Sequence, residues 1–282
     1  MITDLIIVGG GVAAGLFGSL LGLGGGTLIV PLLTLGFNLP LREAVGVSLV
    51  CVIVTSSASA GIYLQRHVAN LRLGMTLELF TATGALAGAM VAFLLDERLI
   101  AGLFAILLFY VSLSMLWRGR EDVAAAAEAG REAAATNGGL SLPRPHGNLF
   151  VLALSGPDYT IRNLPLGVAG SVVAGIVSAL LGIGGGTVKV PVMHLGMGVP
   201  LRVATATSNL MIGITASAGA IVYLLRDQID PYLAGAVAIG VFFGAVAGAR
   251  LQHRIHLQVL RMLFVVVLLY VGFQMARRAV GI

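Results

Sequence analysis

Apolar residues crowd into eight runs, at 5–37, 44–64, 74–95, 99–117, 164–197, 203–225, 231–252 and 257–276. One polar stretch, from Arg118 to about Asn163, divides them into two sets of four. Six of the runs are close to the roughly 20 residues that a helix needs to cross a bilayer. The first run of each set is too long. At about 1.5 Å per residue the 33 residues of 5–37 would stretch about 50 Å as one helix, against a hydrocarbon core of about 30 Å. Three consecutive glycines stand in the middle of each long run, at 24–26 and 184–186, where each costs a helix about 1 kcal/mol. The pattern predicts two half-helices joined by an unwound turn. At membrane depth such a turn survives only inside protein or beside an aqueous cavity.

The two sets are copies. Gly22-Leu23-Gly24-Gly25-Gly26-Thr27, then Val30-Pro31 and Pro40-Leu41-Arg42, recurs 160 positions later as Gly182-Ile183-Gly184-Gly185-Gly186-Thr187, Val190-Pro191 and Pro200-Leu201-Arg202. The same offset pairs Ser48 with Ser208, Tyr63 with Tyr223, Gly88 with Gly248 and Tyr110 with Tyr270. A duplicated chain with a glycine-interrupted apolar segment at the same place in each half is the pattern of repeat-built secondary transporters, and the interruption points to the binding site. The expected organisation is a first transmembrane repeat at 1–117, a polar cytoplasmic linker at 118–163 and a second repeat at 164–282. Within the linker, Glu121–Ala135 is expected to form a short exposed helix and Asn137–Gly147 a flexible tether.

Two topologies fit. Four full spans per half would make the repeats parallel. A re-entrant hairpin plus three spans is an odd number, so the second half would be inverted, and this is the favoured reading. Both place Arg66, Arg72, Arg118, Arg120, Arg131, Arg144 and Arg162 on one side, cytoplasmic by the positive-inside rule, and they differ over the loops holding Arg42 and Arg202.

Composition supports an all-α integral membrane protein of about eight segments. Hydrophobic residues make up 58%, charged residues 10%, and the mean hydropathy is +1.00, whereas soluble domains carry about 25% charge. Sixteen of the 17 cations are arginines near segment ends, so the net charge of +5 reflects membrane anchoring and not nucleic-acid binding. Arg250, Arg254 and Arg261 are expected as cytoplasmic anchors. The start, Met1-Ile2-Thr3-Asp4, lacks the basic residues and cleavage site of a signal peptide, so the first membrane segment is expected there. The single cysteine, Cys51, forms no internal disulfide or thiolate metal cage and is expected to be a packing residue.

Several motifs carry competing meanings. Leu5 to Ala14 imitates the G-x-G-x-x-A turn of a dinucleotide site, but no acidic residue stands between Asp4 and Glu43 to take the ribose. The Gly-x-Gly-Gly-Gly-Thr motif lacks the Gly-Lys-Ser/Thr ending of a P-loop. Gly15, Gly84, Gly88, Gly244 and Gly248 suit close helix packing. The glycine triplets suit a break, after which the helix restarting at Thr27 or Thr187 aims its N–H groups inward at an anion. Hydroxyls cluster in the next run of each half: Ser48, Thr55, Ser56, Ser57 and Ser59, then Thr205, Thr207, Ser208, Thr215 and Ser217 with Asn209. About half of them are expected to bond their own backbone. Lys189 stands where the first copy has Ile29, and at membrane depth it reads as a counter-charge for an anion. Glu78 is expected to reach the interface, and His194 to be a packing residue. The absence of paired membrane carboxylates argues against a cation transporter or an acid–base enzyme.

The duplicated Gly-x-Gly-Gly-Gly-Thr-x-x-Val-Pro segment, with Pro-Leu-Arg-x-Ala and a serine-bearing helix behind it, resembles the TauE/SafE sulfite exporter permeases over residues 5–117 and 164–278. The first copy departs at Gly46-Val47-Ser48, where that family often has a threonine before the serine; the second copy keeps the hydroxyl in Thr207-Ser208-Asn209. The resemblance implies a multi-pass protein of the bacterial inner membrane, with two inverted repeats, that exports sulfite, organosulfonates or related anions without a cofactor or metal. The expected substrate site comprises Gly24, Gly25, Gly26, Thr27, Ser48, Gly184, Gly185, Gly186, Thr187, Lys189, Thr207, Ser208 and Asn209. No catalytic residues are expected. The expected partners are a small anion and the lipid bilayer, with no nucleic acid; a homodimer is compatible with the sequence. Transport of another small organic anion, such as a carboxylate, is the alternative, and an intramembrane enzyme or assembly factor a more distant one.

Overall fold

A computed structural model describes residues 2–21, 25–65, 69–135, 159–251 and 257–281. The first half comprises α1 (Ile2–Leu21), α2 (Gly26–Pro31), α3 (Leu41–Gln65), α4 (Leu71–Leu94) and α5 (Glu97–Ala135). The second comprises α6 (Leu164–Leu181), α7 (Gly186–Pro191), α8 (Leu201–Leu225), α9 (Pro231–Leu251) and α10 (Leu257–Val280). Among the described residues, seven of these helices are long and apolar enough to cross a bilayer. Gly24, Arg66, Arg144, Arg254 and the tether at 137–147 lie outside the described residues. Glu121–Ala135 is helical but is not a separate helix, because α5 continues to Ala135 without a break.

The interruptions stand where the glycines predict them. Gly25 and Gly185 precede α2 and α7 with φ of 76° and 74°, a left-handed conformation that side chains disfavour. Pro31 and Pro191 close these helices, and a π-helical turn follows each, at Leu32–Gly36 and Val192–Gly196. Proline brings no N–H, so the regular ladder loses a bond there and the coil widens.

Each interrupted segment folds back on itself. A methyl group on Gly170 would press on Val192, and one on Gly196 on Leu166. The Arg162 N–H donates to the Met197 carbonyl at 3.0 Å, so the chain leaves this hairpin beside the point where it enters. In the first half, Gly10 faces Leu32 and Gly25 faces the Ala14 carbonyl in the same way. At the tips residues 25–27 and 182–187 are buried, whereas Asn38 and Gly198 at the open ends are exposed.

The halves interlock reciprocally. Helix α1 packs on α9, and its repeat counterpart α6 packs on α4. Both seams run parallel and are lined by glycine: methyl groups on Gly15 and Gly244 would overlap the Val241 and Val12 carbonyls, and on Gly84 and Gly88 those of Val172 and Ile176. These glycines are therefore packing residues, as the small-residue rule for membrane helices predicts. Equivalent helices also meet, and they run antiparallel. Ser56 of α3 lies against Asn209 of α8 while Leu49 lies against Gly219, and Arg98 at the start of α5 lies against Gly281, just past the end of α10.

Candidate substrate site

The two hairpin tips meet at the centre. A Cβ on Gly26 would overlap the Gly182 carbonyl and lie 3.0 Å from the Ile183 Cα, so the backbones of the two tips touch. Helices α3 and α8 flank the contact: Val52 and Ile212 both close on Gly184. Ser48 of α3 donates to the Gly182 carbonyl at 2.7 Å and pins the second tip from the first half. Ser56 similarly donates to the Asn209 carbonyl at 2.6 Å and accepts from the Gly213 N–H at 3.0 Å.

Four hydroxyls around the tips are buried and, among the described residues, have no hydrogen-bond partner: Thr27, Thr187, Ser178 and Ser208. A buried hydroxyl left unbonded costs about 1–3 kcal/mol, so this cluster is poised for a ligand that accepts hydrogen bonds. Ser178 was missed in the sequence because it lies in an apolar run and its repeat equivalent is Gly18, so no recurring hydroxyl marks it. In space its Cβ lies 3.2 Å from a Cβ built on Gly185. The Leu28 and Val188 N–H groups turn back to the Gly25 and Gly185 carbonyls, and those of Gly26, Thr27, Gly186 and Thr187, which have no acceptor within their helices, add donors at the same place.

The structure thus brings together Gly25, Gly26, Thr27, Gly184, Gly185, Gly186, Thr187 and Ser208. Ser48 and Asn209 act at their edge as links between halves. Thr207 points elsewhere: its Oγ1 accepts from the Asn70 N–H at 2.9 Å, while Asn70 caps α4 and donates to the Tyr159 hydroxyl at 2.8 Å. Other hydroxyls bond their own helix, including Thr55 to Cys51, Ser57 to Ile53 and Ser217 to Gly213. Cys51 is buried packing, and His194 is held by the Val199 carbonyl at 2.9 Å.

Lys189 is buried but not free. Its ammonium lies 3.0 Å from Glu78 Oε2 and 2.6 Å from Thr215 Oγ1, and Thr215 donates to Glu78 Oε1 at 2.6 Å. Glu78 is 4% exposed, which corrects the expectation that it reaches the interface. A lone lysine at membrane depth requires a counter-charge, and the only acidic residue within α4 supplies it. That requirement was the signal available in the sequence. A separate apolar cavity of about 460 Å³ lies between the first hairpin and α10, lined by Gly10, Ala14, Leu32, Phe264 and Tyr270 among others. It presents no charged group to an anion.

Comparison with known proteins agrees with this architecture. The family model described as Sulfite exporter TauE/SafE matches residues 7–275. The chain is 27% identical over 281 residues to "Probable membrane transporter protein YunE" of Bacillus subtilis, covering 96% of each. It is 27% identical to "Probable membrane transporter protein YdhB" of the same organism, covering 82% of each, and 26% identical to "Probable membrane transporter protein MJ0441" of Methanocaldococcus jannaschii, covering 96% of this chain and 94% of that protein. No solved structure matches the chain. With its apolar helices, duplicated glycine breaks and a family match over nearly its whole length, the chain is a multi-pass membrane protein that belongs to the TauE/SafE sulfite exporter family.

Proposed function

We propose that this protein is a secondary transporter that exports small sulfur-containing anions, such as sulfite or organosulfonates, across the bacterial inner membrane by alternating access. The observation that carries the reading is the meeting of two broken hairpin tips beside buried hydroxyls that have no partner among the described residues. Sulfite and sulfonates spread their charge over three oxygens, each able to accept a hydrogen bond. Hydroxyls and backbone N–H groups hold such a group without the lasting attraction of a full charge, which suits binding followed by release. The antiparallel pairing of equivalent helices, with hairpins that return to their starting side, supports halves inverted in the membrane. Because the tips are sealed within the protein, a solute bound there reaches either face only when one half rocks against the other.

Thermal unfolding of the purified protein tests the substrate class. Sulfite, thiosulfate, taurine or sulfoacetate should stabilise it, by about 2.7 kcal/mol at a ligand concentration 100 times Kd. Thr27→Val with Thr187→Val should remove that stabilisation. Greater stabilisation by matched carboxylates than by any sulfur anion would refute the substrate assignment.

A further inference from the structure

The Glu78–Lys189–Thr215 cluster adjoins the second tip, where the Lys189 N–H donates to the Gly185 carbonyl at 3.0 Å, and extends away from it along α8. Thr215 is seven residues along α8 from Ser208, about 10 Å at the rise of a helix. It joins three elements from both halves: Glu78 on α4, Lys189 on α7 and Thr215 on α8. Among the described residues, Lys189 is the only cation within ion-pair distance of the Glu78 carboxylate. Helix α6, which also packs on α4, carries no titratable side chain, and His194 of the same hairpin turns to the Val199 carbonyl.

The pair also breaks the repeat. The positions 160 residues away are Ala238 and Ile29, so the charges meet at one of the two repeat-equivalent places between the halves and not at the other. A carrier built from repeats alternates as its halves exchange conformations. A charge pair present once makes that exchange respond to whatever binds there.

We propose that Glu78 is the coupling-proton site of the carrier, an inference that rests on the anion-transport reading. In the state described here, carboxylate and ammonium cancel. A monoanion arriving at the tips would leave a net negative charge in a low-dielectric interior, which is strongly unfavourable. One proton taken up on a Glu78 oxygen restores neutrality. The new O–H donates to Thr215 Oγ1, the Thr215 hydroxyl donates to the Met211 carbonyl, and the uncancelled Lys189 ammonium balances the anion. Anion and proton therefore bind and leave together, one proton per negative charge, and export proceeds where the outward anion gradient exceeds the inward proton gradient.

Proteoliposomes test this with labelled isethionate, methanesulfonate and sulfite as probes. The protein should exchange at least one of them in counterflow. With the membrane potential clamped, an acid-outside pH gradient should drive several-fold accumulation of that anion, and a lumenal pH dye should report acidification. Glu78→Gln should abolish the accumulation while counterflow remains measurable. The variant Glu78→Gln with Lys189→Met, which keeps both size and charge balance, must also lose it and guards against a single variant that fails to fold. Counterflow by the unmodified protein without accumulation or acidification would overturn the coupling and leave the transport reading intact. Accumulation by both variants equal to that of the unmodified protein would make the pair purely structural. No counterflow with any of the three anions would remove the transport reading, and the coupling with it.

Discussion

The buried ion pair gives a prediction whose size follows from its burial. Side-chain exposures are 1% for Lys189 and 5% for Glu78, so neither charge can turn to water when its partner is lost. Removing one member of such a pair costs about 3–5 kcal/mol, mainly because the survivor is left buried and uncompensated. Unfolding entropy of about 2.1 cal/mol/K per residue over 282 residues is about 0.6 kcal/mol/K, so each single change, Lys189→Met or Glu78→Gln, should lower Tm by about 5–8 °C. The double change leaves no orphaned charge and keeps similar volumes, so its Tm should lie within about 3 °C of the unmodified protein. Thermal unfolding in detergent, followed by circular dichroism or a thiol-reactive dye at Cys51, would measure the cycle. If the double variant falls by the sum of the singles, to within about 0.5 kcal/mol, the two residues are not coupled and the pair is wrong.

Three further outcomes follow. Replacing exposed Asn38 or Gly198 with cysteine should give labelling from opposite faces of the membrane, with buried Cys51 silent, and same-face labelling would rule out inverted halves. A Cβ on Gly11 would stand 2.7 Å from the Val237 carbonyl, so Gly11→Ala should cost about 1–3 kcal/mol, whereas Gly235 has nothing within 4 Å and Gly235→Ala should be neutral or stabilising by up to about 1 kcal/mol; denaturation midpoints would show the contrast. Ser48→Ala leaves the Gly182 carbonyl at the second tip unbonded, so it should lose about 1–3 kcal/mol of stability and weaken anion binding in a thermal shift, while Ser57→Ala, whose hydroxyl serves its own helix, should do neither.

Much of the architecture was legible because it is local and doubled. The glycine triplets and following prolines mark α2 and α7, and both copies break at the same residues: Gly26–Pro31 matches Gly186–Pro191, and Leu41–Gln65 matches Leu201–Leu225. The seam glycines, too, declared themselves by spacing. The partner of each polar group did not. Glu78 meets a lysine 111 residues away and Ser48 a carbonyl 134 residues away, across the two halves, and periodicity says nothing about which faces will meet. Hydropathy is equally blind here, because a helix face turned to lipid and one turned to protein are both apolar. Glu78, seven residues into its helix, looked close enough to water to escape; only the Lys189 ammonium reaching it from α7 shows that it does not. Gly84 illustrates the opposite limit: spacing identified it as a packing residue, but only the structure shows the Val172 carbonyl against it, with no room for even a methyl group.

The crossed seams have a consequence for biogenesis. Helix α1 docks on α9, so during synthesis α1 waits for a partner whose first residue lies 210 positions beyond its own last one. At a synthesis rate of about 5–20 residues per second that wait lasts about 10–40 s. During it the seam face of α1, with Gly11 and Gly15, lies open to other small-residue helices in the same membrane. The nascent first half is thus an unfinished object, and its assembly is completed by a helix of the second.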